Sequence, residues 1–163
     1  MKVRRPVLNV DDAKSMGLNF QISRLDQMLR RVIYISRSLI SADPWEIEAV
    51  TSSSIRRNAE VEVTGMLWAD GESFAQVIEG GSDQVGLTMD RIRNDRRHAD
   101  IEVLLDRAVL SRQFGDWSMR RAHYDDASAH GTTFMIGFAL GERTASTRRL
   151  YDIVMSSDAG NAD

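Results

Sequence analysis

The chain has 163 residues, of which 42% are hydrophobic and 28% charged, and its formal net charge is −3. This composition is typical of a soluble globular domain with an appendage, and it excludes a broad electrostatic attraction to nucleic acid or anionic lipid. No apolar run reaches the roughly 18–20 residues of a membrane-spanning helix, and no secretion signal is evident. We therefore expect a cytoplasmic protein with neither nucleic acid nor membrane as a partner.

The apolar patterning predicts strands and helices after a weakly patterned N-terminal extension over residues 1–28, which we expect to be poorly ordered. The predicted elements are a strand over about 30–36, a helix over about 43–58, strands over about 62–69 and 72–79, a second helix from about 82, strands over about 101–111 and 117–123, and two short helices over about 134–140 and 147–155. The order βαββαββ is the ferredoxin-like, split-βαβ arrangement with one extra strand, and it predicts an α+β fold.

Local signals set several of these boundaries. Asp43 and Pro44 have the residue types of an N-cap and a first helical position. Asp70-Gly71 predicts a hairpin turn, and Ser82 is expected to cap the second helix. We expect that helix to end in the basic turn Arg96-Arg97-His98, whose charge suits the negative end of the helix dipole.

The helices are expected to cover both faces of the sheet. Right-handed crossovers place the two βαβ helices on one face. The first strand is apolar on both faces, so the other face also needs a cover. The apolar tail over 125–163 supplies it as a helical cap with a disordered end.

Two polar side chains lie on predicted buried strand faces. Gln76 shares its face with Phe74 and Ile78, and Tyr34 lies on the first strand between apolar residues. A buried amide left without partners costs about 1–3 kcal/mol for each unpaired group. Either Tyr34 and Gln76 bond to each other and fix the strand register, or a ligand lies against that face.

Signatures of catalysis are missing. The sequence has no cysteine, no metal-ligand spacing around its three histidines, no Gly-x-Gly-x-x-Gly or Walker loop and no Gly-x-Ser-x-Gly elbow. We therefore predict that the protein is not an enzyme.

Five segments, in order, match the motifs of one known family. They are Arg31-Val32-Ile33-Tyr34, Arg57-Asn58 followed by Val63-Thr64-Gly65-Met66-Leu67, the glutamine strand Phe74-Ala75-Gln76-Val77-Ile78-Glu79-Gly80, Asp95-Arg96-Arg97-His98, and Phe114-Gly115-Asp116-Trp117-Ser118-Met119. Over residues 29–124 the chain thereby resembles the BLUF domains, blue-light sensors that bind FAD. The resemblance divides the chain into the extension 1–28, a flavin-binding domain over 29–124 and the helical cap over 125–163.

The resemblance implies a non-covalent flavin site, with FAD as the cofactor and FMN as the alternative. The implied site residues are Tyr34, Asn58, Gln76, Arg91, Asp95, Arg97 and His98. Of these, Asn58 and Gln76 are expected at the edge of the flavin ring, and Gln76 also at the Tyr34 hydroxyl. Arg91 is expected at the O2 side of the ring or at the ribityl–phosphate arm. Arg97 and His98 are expected at the phosphate or ribityl group, and Asp95 at a sugar hydroxyl.

Each assignment has a structural alternative. Asn58 is also explained as a helix C-terminal residue that tolerates a left-handed backbone. Arg97 and His98 are also explained as a helix end matched to the dipole, and Arg91 as a solvated side chain. Met119 is expected to approach Gln76, and Trp117 to be a core or edge aromatic.

The resemblance also implies the mechanism and the partners. Light makes Tyr34 an electron and proton donor, and the Gln76 amide is left rotated or tautomerised. The chain resembles a short stand-alone photoreceptor, so we expect it to signal to an unidentified downstream protein and to form a homo-oligomer. The alternatives are a flavin-dependent redox protein and a flavin-free interaction module of the same fold.

Overall fold

The computed structural model describes residues 28–40, 43–115, 117–123 and 126–157. Residues 1–27 of the predicted extension, and the end of the tail after residue 157, lie outside the described part. The elements are β1 (Leu29–Ser38), α1 (Pro44–Glu60), β2 (Thr64–Ala69), β3 (Ser73–Gly81), α2 (Ser82–Arg93), β4 (His98–Val109), β5 (Arg120–Arg121), α3 (Asp126–Glu142) and α4 (Ala145–Ser156). Among the described residues, no helix combines the length and the apolar character needed to cross a bilayer.

The five strands form one sheet in the order β4-β1-β3-β2-β5. The pairs β1–β3, β1–β4 and β2–β3 are antiparallel, whereas β5 runs parallel to β2. The predicted α+β, ferredoxin-like fold is confirmed. β1 lies between β4 and the central strand β3, and its register with β4 shifts between Ile33 and Tyr34.

Alternation along the strands sends side chains to two separate cores. Val32, Tyr34 and Phe74 lie on the front face with α1 and α2. Ile33 and Val77 lie on the back face, which α3 and α4 cover. The predicted placement of both helix pairs is confirmed.

Two of the local signals act as expected. Asp43 caps α1 by accepting the backbone N–H of Trp45 at 2.9 Å, and Pro44 occupies the first helical position. Asp70 Oδ1 accepts the backbone N–H groups of Glu72 and Ser73, and Gly71 between them and Asp70 has a φ of 93°. That positive φ explains the glycine in the turn.

The predicted start and end of α2 were wrong. β3 runs directly into the helix, so Gly81 is the N-cap and makes no side-chain capping bond, while Ser82 is already helical. The helix ends at Arg93, because the Asn94 side chain bonds back to the carbonyl of Asp90 at 2.9 Å. His98 therefore does not end a helix and instead begins β4.

Other boundaries also differ from the prediction. β5 is limited to two residues, since only Met66 and Leu67 of β2 pair with it. α3 begins at Asp126, eight positions before the apolar run that predicted it. Its first turns carry small and polar residues, and Gly131 there faces the sheet so closely that a Cβ would lie 2.3 Å from Met66 Sδ. Close packing of small residues against the sheet, rather than apolar periodicity, accounts for the early start of α3.

Candidate functional site

The Tyr34 and Gln76 side chains meet on the front face of the sheet. They are direct cross-strand partners of β1 and β3, with exposed fractions of 0% and 5%. The Tyr34 hydroxyl donates a hydrogen bond to Gln76 Oε1, and burial raises the pKa of Tyr34, so this hydroxyl stays protonated. On its other side Gln76 Nε2 donates to Met119 Sδ at 3.3 Å, which confirms the expected approach of Met119.

Asn58 lies near the C-terminal end of α1 and is buried. Its Nδ2 donates to the backbone carbonyl of Ser118 at 3.0 Å. It is not among the described non-glycine residues with positive φ, which are Glu62, Asp100 and Arg143. The explanation of Asn58 as a left-handed helix end is therefore wrong, and its side chain is held instead beside the segment that carries Met119.

A cavity between α1 and α2 collects the predicted residues. Six of the seven predicted site residues line it, and Tyr34 lies behind Gln76. The lining is Val50, Ser53, Ser54, Arg57, Asn58, Leu67, Gln76, Thr88, Arg91, Ile92, Asp95, Arg97 and His98. A second, outer cleft shares five of these residues and adds Leu87, Asp90, Asn94 and Arg96. The inner cavity and the outer cleft therefore adjoin at Ser53, Arg57, Arg91, Asp95 and Arg97.

Asp95 and Arg97 are paired in the turn that follows α2. Arg97 Nε and Nη2 both donate to the Asp95 carboxylate, the latter at 2.5 Å. The hydrogen bond from Arg97 holds the pKa of Asp95 below its ordinary value. Because the pair lies beyond the end of α2, the explanation of Arg97 as a dipole-matched helix end does not hold.

His98 is the first residue of β4, and its ring contacts the front core. Its Nδ1 lies 2.9 Å from Ser36 Oγ, and its ring centroid lies 5.0 Å from that of Phe74. Burial lowers the pKa of His98, although Asp95 opposes that shift. The imidazole is therefore neutral at pH 7, with one nitrogen held by Ser36 while the ring borders the cavity.

The chemistry of this cavity fits a flavin. Its inner end presents two primary amides, and its outer end presents guanidinium groups. Asn58 Oδ1 accepts no hydrogen bond from the described residues, and one Gln76 N–H is directed only at a thioether sulfur, a weak acceptor. Amides with unused donors and acceptors suit the alternating N–H and C=O groups of an isoalloxazine edge, and the guanidinium groups suit phosphate.

Sequence reasoning missed several residues of this site. Ser53 and Thr88 line the cavity one helical turn from Arg57 and Arg91, respectively, a spacing that helical periodicity makes visible. Ser36 contacts His98, which is 62 residues distant, and nothing in the sequence around Ser36 indicates that contact. Its partner was therefore not predictable from local sequence.

Comparison with known proteins decides the family. The sequence profile of BLUF, described as sensors of blue light using FAD, matches residues 29–120, more than half of the chain. The chain belongs to the BLUF family. The matched range begins where β1 begins and ends at the first residue of β5, so it contains every residue of the candidate site. The predicted boundary at residue 124 stays a prediction.

Curated BLUF relatives share only part of their length with this chain. The photoactivated adenylate cyclase subunit beta of Euglena longa is 32% identical over 104 residues, which are 63% of this chain and 12% of the relative. The blue light- and temperature-regulated antirepressor BluF of Escherichia coli K12 is 36% identical over 92 residues, which are 56% of this chain and 23% of the relative. The chain thus spans a small fraction of these proteins.

Solved structures of other proteins have the same fold. The dark-state structure of the BLUF protein BlrB matches with a TM-score of 0.60 and 23% identity, covering 80% of this chain and 97% of BlrB. The photo-activated state of BlsA matches with a TM-score of 0.57 and 17% identity, covering 80% and 98%. Each match covers four-fifths of this chain.

Proposed function

We propose that this BLUF protein is a blue-light photoreceptor that holds FAD in the cleft between α1 and α2. The observation that carries the proposal is the Tyr34–Gln76 hydrogen bond at the inner end of a cleft lined by amides and guanidinium groups. In this proposal Asn58 and Gln76 orient the flavin ring, and the charged residues bind its ribityl–phosphate arm.

Membership of the BLUF family implies the photochemistry of Tyr34 and Gln76, and their hydrogen bond supports it. A bound flavin supplies absorption of blue light and, in its excited state, an acceptor for one electron. Tyr34 gives up that electron, and its hydroxyl proton moves to Gln76, the acceptor it already contacts. Both return to Tyr34 on recombination. The persistent change is a rotated or tautomerised Gln76 amide, whose bonds to Tyr34 and Met119 are then exchanged.

The charge at the outer cleft supports FAD over FMN. Arg57, Arg91 and Arg96 line it, and Arg97 is already paired with Asp95. Three further guanidinium groups exceed what the single phosphate of FMN needs, whereas the pyrophosphate of FAD offers more acceptor oxygens. Arg97 then orients Asp95 toward a sugar hydroxyl, or shares its own donors between Asp95 and phosphate.

The output is proposed to be a change of affinity for a partner protein. BLUF proteins signal to downstream effectors, and the E. coli relative is named as an antirepressor. In this chain Ser118 and Met119 contact the site, and the chain then passes through β5 to α3. His123 at the end of this path donates its backbone N–H to Ser128 Oγ in the first turn of α3 at 3.1 Å. We therefore propose that the output surface is formed by α3 and α4. We also propose that these helices form the interface of a homo-oligomer.

An absorption spectrum of the purified protein, before and after blue light, tests the proposal. We expect flavin bands and a small red shift that reverses in the dark, and the flavin released on denaturation should be FAD by mass. Flavin bands that bleach under light, without a reversible shift, would favour the redox alternative. A protein that stays colourless after addition of FAD would favour the flavin-free interaction module.

A further inference from the structure

A buried ion pair lies on the opposite face of the strands that carry Tyr34 and Gln76. Arg31 and Glu79 are direct partners in the same β1–β3 register, three residues along each strand. Their exposed fractions are 5% and 0%, and Arg31 Nε donates to Glu79 Oε1 at 2.5 Å. Because alternate residues point to opposite faces, this pair faces the back core while the Tyr34–Gln76 pair faces the cleft.

The Glu79 carboxylate also fixes the loop between β4 and β5. Its second oxygen, Oε2, accepts the backbone N–H groups of Gln113 and Phe114 at 2.8 and 2.9 Å. Only a few residues later, Ser118 accepts from Asn58 and Met119 accepts from Gln76. Glu79 therefore holds the loop at Gln113 and Phe114, and the two amides of the candidate site hold it at Ser118 and Met119. Bonds from the Arg112 side chain to Thr64 and from the Gly65 N–H to the Trp117 carbonyl hold the same loop against β2.

Arg31 extends the same network to the helical cap. Its guanidinium carbon lies 4.9 Å from the centroid of the Phe134 ring on α3, within the range of a cation–π contact. Phe134 in turn packs edge-on against Phe114, with ring centroids 5.5 Å apart. The β1–β3 strand pair, the β4–β5 loop and α3 thus meet around the Glu79 carboxylate and the Arg31 guanidinium.

Stability alone does not account for this pair. Removing two charges from water is costly, and a buried ion pair is often no more stabilising than apolar residues of similar volume. A buried pair does, however, fix the positions of the groups around it, because its donors and acceptors can be satisfied in few other arrangements. Here the Glu79 carboxylate accepts from Arg31 and from two backbone N–H groups of the loop, so the geometry it helps to fix is the position of that loop.

We propose that Arg31 and Glu79 are positioning residues of the light sensor. They set the resting position of the β4–β5 loop, hence that of Met119 against Gln76, and Arg31 links this position to α3 through Phe134. The proposal rests on the proposed function for its photochemical consequence. Its structural part, the anchoring of the loop by Glu79, holds with or without light.

The test compares Glu79→Gln with the wild-type protein. The variant keeps the side-chain shape but places an amide N–H among donors. We expect hydrogen exchange of the loop amides in the dark to accelerate by about tenfold, the effect of losing a hydrogen bond to a charged group. We expect the dark recovery after blue light to change by a similar factor, while the Gln76-dependent red shift remains.

Asp106→Asn is the matched control. Arg30 and Asp106 form a cross-strand ion pair at 2.6 Å on β1 and β4, but this pair is partly exposed. Within the described part of the chain, no hydrogen bond or ion pair joins it to the β4–β5 loop or to the helical cap. This control should leave loop exchange and dark recovery as in the wild type. If Glu79→Gln does not fold, the double variant Arg31→Met, Glu79→Gln, which removes both buried charges, takes its place.

The outcomes separate the two proposals. Unchanged loop exchange in the Glu79 variant overturns the anchoring. Faster exchange with unchanged recovery overturns the positioning role and leaves a purely structural pair. Faster exchange with altered recovery supports it. A wild-type protein without flavin or red shift refutes the proposed function, and the exchange data then still decide the anchoring.

Discussion

Tyr34 and Gln76 are direct cross-strand partners, and the tyrosine hydroxyl donates to the glutamine oxygen. This orientation commits the glutamine N–H groups to the opposite side, where Met119 sulfur takes one of them. The Gln76 amide therefore lies between a strong donor, the Tyr34 hydroxyl, and a weak acceptor, the Met119 sulfur. Rotation of that amide by half a turn would place its N–H against Tyr34 and its oxygen toward Met119, which is the two-state element that a hydrogen-bond switch requires.

The substitution Gln76→Leu removes this element and keeps its volume. We expect the variant to retain flavin, because Asn58 and the arginines remain, but to lose the reversible red shift. Difference spectra recorded in light and dark measure it. Gln84→Leu, the same change at an exposed position of α2, is the control and should preserve the shift. A normal shift in the Gln76 variant would remove this residue from the mechanism.

Asn58→Ala should weaken flavin binding. Loss of the amide removes the donor and acceptor proposed for the ring, and one such hydrogen bond is worth about 1 kcal/mol, or about five- to tenfold in the dissociation constant. Titration of flavin-free protein with FAD, followed by fluorescence, measures the change. Ser52→Ala, on the exposed side of the same helix, should bind like the wild type. Equal affinities for all three proteins would exclude Asn58 from the site.

The stability of the fold should decrease at mildly acidic pH because of His98. Burial depresses the pKa of His98 in the folded state from its ordinary value of 6.5, so below that value the unfolded chain binds the proton more readily. The stability is complete above the unfolded pKa, and it is lost as the pH falls from that value through the lower pKa of the folded state. The lowered pKa of Asp95 acts only in the more acidic range near its ordinary value of 3.8.

Urea midpoints measured between pH 5 and pH 8 test this dependence. His98→Gln should flatten the profile, since the glutamine does not titrate. His123→Gln, at an exposed histidine, should leave the wild-type slope. If the wild type and the His98 variant have parallel profiles, another group controls stability in this range.

Alanine substitutions at two glycines of α3 should change the stability of the protein in opposite directions. At Gly131 a Cβ would lie 2.3 Å from Met66 Sδ and 2.9 Å from Phe114 Cε1, so Gly131→Ala should destabilise the protein by about 1–3 kcal/mol through overpacking. At Gly137 nothing lies within 4 Å of a Cβ, so Gly137→Ala should stabilise it by about 0.5–1 kcal/mol through helix propensity. Chemical denaturation measures both. Equal and small effects would show that α3 does not pack against β2 as described.

The strand faces and the site chemistry were predictable because they repeat along short stretches of chain. Alternation in β1 separates Tyr34 from Ile33 and Ile35, and the observed cores keep that separation. The amide in the apolar strand around Gln76 indicated either a Tyr34 partner or a ligand, and the structure contains the Tyr34 bond. The role of Gln76 toward flavin stays a prediction.

The ends of helices were less predictable where tertiary contacts compete with local signals. Ser82 has the side chain of an N-cap, but β3 continues into the helix and leaves Gly81 at that position. The apolar run that predicted a short tail helix begins at Phe134, yet α3 begins at Asp126, where its small residues fit against the sheet. In both places the packing of neighbouring elements overrides the local helix propensity and capping preference.

The sequence by itself determined the order of elements, the α+β class, the two-sided sheet and the residue types that a flavin needs, because period and residue chemistry are local properties. Only the tertiary structure decided that certain distant groups meet, namely Arg31 with Glu79 and Ser36 with His98. Those contacts depend on strand register, which is fixed by the packing of the whole sheet rather than by any one segment.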